Sequence, residues 1–152
     1  IFDKLDQTVP LDLGATGMMW QCREIENYLC YPEVLTAYAS ATAQQETVGP
    51  LFTLSESDQR VKAMQESIEE IERALKTLDE GSPWDFNTKV SDIFLSRLFK
   101  TYFKRLNLPN LMAKKNFYEL ARLVPKDKIH PEIKEKLDAI AQVAESGKNN
   151  LQ

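Results

Sequence analysis

The sequence predicts a mainly α-helical fold of five or six helices, with one short strand at Met18–Trp20. Three runs carry that expectation. Val61, Met64, Ile68, Ile71, Leu75 and Leu78 recur at spacings of 3, 4, 3, 4 and 3, which places them on one face of a helix for about three heptads. Phe94, Leu95, Leu98, Phe99, Tyr102, Phe103 and Leu106 form a second apolar stripe. Ile133, Leu137, Ile140 and Ala144 follow at 4, 3 and 4, so a last helix is expected to bury one face.

The remaining elements follow in chain order. Ile1–Gln7 reads as the close of a helix, and Thr8–Gly17, with Pro10, Gly14 and Gly17, as a loop. Met18-Met19-Trp20 is an apolar run ending in an aromatic, followed by charge at Arg23-Glu24, which reads as a strand passing into a helix. One strand is not stable alone, so it either pairs with residues outside this sequence or packs as an irregular segment. Pro32 suits the first turn of a helix running to Gln45, with Leu35, Tyr38 and Ala39 on one side. Thr47–Leu54, carrying Gly49-Pro50, reads as a linker. Ser55 with Asp58 offers a weak capping box for the heptad helix, which Gly81-Ser82-Pro83 ends. Asn87 can cap the helix that runs to Leu106. Asn116–Leu123 is a short helix closed by Pro125. His130 caps the final helix, with Pro131 at its first position, and Gly147 stops it. Two regions are expected, 1–45 and 46–152, packed as one unit.

The chain has 152 residues, 43% of them hydrophobic and 28% charged, which is a globular composition with enough length to bury a core. It begins at Ile1, so it is expected to be cut from something longer or processed. No run of eighteen apolar residues and no signal-peptide layout occur, which points to a cytoplasmic protein without a membrane span. Cys22 and Cys30 make no disulfide framework, and with one histidine a zinc site is not expected; two buried thiols are expected.

Charge is distributed unevenly. Residues 55–80 hold eight acidic and four basic side chains, whereas residues 87–115 hold seven basic and one acidic. On the helix containing the second apolar stripe, Lys89, Arg97, Lys100 and Lys104 fall within roughly 80° of arc. Such a row can follow the phosphates of a nucleic acid; an ordinary solvated face is the alternative. The aromatic residues share the apolar side and are assigned to the core.

The segment Trp20-Gln21-Cys22-Arg23-Glu24-Ile25-Glu26-Asn27-Tyr28-Leu29, followed by Pro32-Glu33-Val34-Leu35, resembles the stretch after the Asp-x-Asp strand in the overcoming-lysogenization-defect (OLD) family. Met112–Arg122 with Val124-Pro125 resembles the end of the helical insertion in the same proteins, in the expected order. The family joins an ATPase domain to a topoisomerase-primase (TOPRIM) nuclease domain. The resemblance implies that Met18–Trp20 is a remnant of a TOPRIM sheet, and that the whole protein is an ATPase-coupled DNA endonuclease using Mg²⁺ or Mn²⁺. It further implies Glu24 as a catalytic carboxylate and metal ligand, with Glu26 as second choice. At 100° per residue the two sit about 200° apart on a helix, so one of them faces the site. Lys114, with Lys115 as alternative, would stabilise charge developing on the phosphate. No Asp-x-Asp precedes Trp20, and Asp3 and Asp6 are poor substitutes. No metal is therefore expected on this segment alone, nor catalysis by it.

The expected partners are DNA, held weakly through phosphates, and the upstream ATPase and TOPRIM parts of the same protein. The rival reading, from another class, is a non-catalytic interaction module that dimerises through the Val61–Leu78 seam.

Overall fold

The computed structural model describes residues 3–4, 18–46 and 50–149. The chain is mainly helical. Helices α1 (Pro32–Glu46) and α2 (Pro50–Thr77) form an antiparallel pair, α3 (Ser96–Arg105) packs across α2, and α4 (Pro131–Asn149) ends the described chain. Three stretches of 3₁₀ helix lie between or before these, at Ile25–Tyr28, Lys114–Leu123 and Lys126–Lys128. A π-helical turn, Ser91–Leu95, leads into α3 without a break.

The main apolar core joins α1, α2, α3 and the Lys114–Leu123 segment, and a smaller cluster of Trp20, Cys22 and Tyr28 meets Ile133 of α4. α1 contributes Val34, Leu35, Tyr38, Ala39 and Ala43, the i, i+3, i+4 pattern of a helix with one buried face. From α2 come Met64, Ile68, Ile71 and Leu75, so the heptad-like seam lies against α1 and α3 of its own chain. Val61 is only partly buried and Leu78 is 60% exposed, so the seam ends short on both sides. Phe94, Leu95, Leu98, Phe99, Tyr102 and Phe103 are all buried, as their stripe predicted. Phe99 is the junction: its ring lies 5.3 Å from Tyr38 on α1 and 5.9 Å from Phe117 on the Lys114–Leu123 segment.

Both α2 and α3 end in the same way. Beyond α2, Asp79 has φ 55°, the Asp79 amide donates to Lys76 O (3.4 Å) and the Glu80 amide to Leu75 O (3.0 Å). Beyond α3, Asn107 has φ 55°, its amide donates to Lys104 O (3.1 Å) and that of Leu108 to Phe103 O (2.9 Å). These paired bonds satisfy carbonyls that the helix end leaves open, and Asp and Asn tolerate the left-handed position better than other side-chain-bearing residues.

Several boundaries differ from expectation. Met18–Trp20 is not a strand: Met19 makes a single β-bridge within an otherwise irregular stretch, and so short a run does not hold an extended strand by itself. The Arg23–Leu29 helix is one 3₁₀ turn, Ile25–Tyr28. α2 starts at Pro50, inside the expected linker, because proline's fixed φ suits a first helical position; Ser55 and Asp58 therefore lie within the helix. α4 continues through Gly147 to Asn149, since a single glycine in a helix costs only about 1 kcal/mol. Its apolar stripe is covered only at its start, where Ile133 packs on Trp20, Cys22 and Tyr28: Leu137 is 59% and Ile140 45% exposed, and Ala144 is exposed too. The expected helix Ile1–Gln7 and loop Thr8–Gly17 fall outside the described residues except for Asp3 and Lys4. Among the described residues no helix is long and apolar enough to cross a membrane.

Candidate functional site

Four of the six residues from Arg23 to Tyr28 fasten distant parts of the chain. The Arg23 amide donates to Phe86 O (2.7 Å), and its carbonyl accepts from the Lys4 amide (3.1 Å). The Glu24 amide donates to Asn27 Oδ1 (3.0 Å), which fixes the Asn27 side chain so that its Nδ2 reaches Thr88 O (3.0 Å) and Asp85 O (3.3 Å). Tyr28 turns the other way. Its hydroxyl accepts from the Cys22 amide (3.1 Å) and donates to the Glu132 carboxylate on α4. Glu132 is buried, and its other oxygen accepts from the Gln21 amide (3.0 Å). His130 Nδ1 accepts from the Glu132 amide (3.3 Å), so His130 caps α4 as expected.

Glu24 is 4% exposed and is spent on the start of the α3 helix. The Ser91 amide donates to one carboxylate oxygen, and Ser91 Oγ lies 3.0 Å from the other. An anion at a helix start meets unsatisfied amides and the positive end of the helix dipole, so this placement is favourable in itself. The next residue along, Asp92, holds two lysines: Lys114 Nζ at 2.6 Å and Lys89 Nζ at 2.8 Å. Those two cations hold the Asp92 carboxyl below the usual carboxylate range, and Asp92 in return raises Lys89. Glu24 and Lys114, about ninety residues apart, thus meet on two consecutive residues, Ser91 and Asp92. Both of those residues escaped the sequence reading. Their one signal was their position just before the α3 stripe, where serine and aspartate favour a helix start.

Glu26 lines an apolar groove. Burial raises its carboxyl above the ordinary range, Glu24 and Asp3 add to the rise, and Lys114 opposes it. A carboxyl whose folded-state pKa is raised penalises the fold once ionised. The penalty is absent below the unfolded value, near pH 4, and grows as pH rises through the folded value. Glu26→Gln is therefore expected to stabilise the chain at pH 7 and to leave it unchanged at pH 4, as urea unfolding at the two pH values would register. Equal effects at both would refute this account of Glu26. Lys115, the alternative to Lys114, is exposed.

Part of the charge asymmetry of the sequence is resolved by ion pairs between the two regions. Arg105 on α3 bridges Glu66 (3.2 Å) and Glu70, one turn apart on α2. Arg97 pairs with Glu80 at 2.6 Å. Of the four cations expected to face DNA, Lys89 and Arg97 are thus ion-paired, and Lys89 precedes the π turn, whose extra residue puts it out of phase with α3. Lys100 and Lys104 remain together, both exposed, beside Asn107 and Asn110 along a shallow trough.

Cys22 and Cys30 are free thiols, both buried, and burial raises both of them, which suits inert core thiols rather than nucleophiles. Among the described residues no group of three or more His, Cys, Asp or Glu side chains is placed to hold a metal ion. With both Glu24 oxygens engaged by Ser91, the described residues do not fit a Mg²⁺ or Mn²⁺ site by themselves. No protein-family model matches the chain, and neither a curated protein nor a solved structure matches it.

Proposed function

We propose that this chain is a segment of an ATPase-coupled TOPRIM-type DNA endonuclease of the OLD kind, inactive by itself, that presents one lysine to the scissile phosphate and a short basic face to the flanking backbone. The observation that carries the reading is the meeting of the two OLD-like stretches. Glu24 from the first and Lys114 from the second are held by Ser91 and Asp92, side by side at one helix start. In this reading Glu24 is a positioning residue: it fixes Ser91, which fixes Asp92, which holds Lys114. Lys114 is the catalytic residue, exchanging Asp92 for the phosphate as negative charge builds up there. The metal would belong with carboxylates contributed from elsewhere in the longer protein.

Lys100 and Lys104 are the backbone contacts the reading retains. Two neutralised phosphates give a log–log salt slope of about −2, against roughly −3 to −4 had all four cations been available. The expected result, measured by fluorescence anisotropy on duplexes of unrelated sequence, is weak binding with that slope. Charge reversal at Lys100 and Lys104 should then abolish it. A slope unchanged by the double reversal would remove DNA contact from the proposal.

No observation favours the dimerising module. Met64, Ile68, Ile71 and Leu75 lie in the chain's own core, so a partner could reach the seam only by displacing α1 or α3.

A further inference from the structure

A groove on the far side of the Ile25–Tyr28 turn takes no part in the nuclease reading. It encloses about 300 Å³, the small end of the range for ligand pockets. Its walls come from three places: Ile25 on the 3₁₀ turn, Tyr118, Ala121 and Val124 on and just after the Lys114–Leu123 segment, and Ile129 and Ile133 around the start of α4.

The Lys114–Leu123 geometry explains why this wall exists. A 3₁₀ helix repeats every three residues, so side chains at i and i+3 line up. Phe117 and Leu120 make one line and are buried in the core. Tyr118, Ala121 and Val124 make the adjacent line and face the groove. An α-helix over the same residues would have turned the second line progressively away.

Ile25, Tyr118 and Ile129 keep 45%, 64% and 48% of their surface exposed. Single exposed apolar side chains are ordinary, but three from separate segments converging on one concavity define a binding surface. The lining has one charged side chain, Glu26, half-buried at its edge. Among the described residues Glu26 forms no ion pair, while Glu24 and Asp3 add negative potential around it. The cation that opposes it, Lys114, is held by Asp92. The Tyr28 hydroxyl is turned inward to Glu132, so the groove floor offers no competing polar group there.

We propose that this groove binds a small amphiphilic amine, its aryl or alkyl body on the apolar wall and its ammonium group on the Glu26 carboxylate. Shape alone would admit any apolar molecule of that size. The lone carboxylate selects the cation, because an anion of the same shape would be repelled and a neutral one would leave a half-buried charge unpaired.

The test is a matched pair, phenylbutylamine and phenylbutyrate, titrated into the whole chain and followed by methyl NMR. The expected result is saturable one-to-one shifts of the Ile25, Ala121, Ile129 and Ile133 methyls with the amine, and binding about tenfold weaker for the carboxylate. Glu26→Gln should bring the two affinities to within about twofold while keeping the apolar binding. Ala121→Trp, at an exposed position, should fill the groove and remove binding of both. No saturable shift at these methyls, or equal affinity for the two probes in the unaltered chain, would overturn the proposal. None of these readouts depends on DNA or on cleavage, so failure here leaves the nuclease reading standing, and the reverse.

Discussion

Phe99→Ala is expected to lower the unfolding free energy by about 3–5 kcal/mol, the largest effect of any single side chain considered. Phe99 is fully buried and its ring is shared between three elements, touching Tyr38 on α1 and Phe117 on the 3₁₀ segment while sitting on α3. Truncation loses the transfer energy of the ring and leaves a cavity whose walls are helices pinned elsewhere, so collapse is only partial. The loss should be visible as a lower midpoint in urea with little change in slope. Leu78→Ala is the control. Leu78 carries the same heptad signal as Leu75 but is 60% exposed, and its change should stay within about 0.5 kcal/mol. A Phe99 effect as small as that of Leu78 would contradict the shared core.

Glu24→Ala is the second large effect, about 3 kcal/mol, and its origin is polar. The substitution leaves the Ser91 amide and hydroxyl buried without their acceptor and removes an anion from a helix start. Each lost bond was to a charged group, which makes it worth more than a neutral one. Glu24→Gln should cost less, because the amide oxygen still accepts from the Ser91 amide. The ordering Ala worse than Gln, by equilibrium unfolding, is the signature of the helix-start role. Equal stability of all three proteins would mean that the carboxylate does not hold the helix.

The helices were legible because their apolar residues repeat with the helical period over three or more turns. The α3 stripe from Phe94 to Phe103 and the α2 residues Met64, Ile68, Ile71 and Leu75 landed as expected. What the period does not encode is what covers a face. α4 carries Leu137 and Ile140 in the same 3–4 pattern, yet both are exposed. Asn116–Leu123 was legible as a short helix but not as a 3₁₀ one, because Phe117, Leu120 and Leu123 suit a three-residue repeat as well as an α-helical one over so short a run. At the candidate site, a resemblance singled out Glu24 and Lys114, but their meeting point was not legible. Ser91 and Asp92 are ordinary helix-start residues, and the carboxylate that occupies Ser91 comes from 67 positions earlier in the chain. The charged stripe was half legible: a face can be counted from sequence, whereas the acids that neutralise Arg105 lie on α2 and the one that neutralises Arg97, Glu80, lies just beyond its end.

The most direct measurement is the rate of magnesium-supported plasmid nicking by a longer protein that carries an acidic strand ahead of Met18, compared with its Lys114→Ala and Glu26→Ala forms. The account predicts that Lys114→Ala lowers the rate about a hundredfold, as loss of one charge-stabilising donor does, with DNA affinity unchanged within about twofold. Glu26→Ala, facing the groove instead, should matter far less. Full nicking activity in Lys114→Ala would contradict the account.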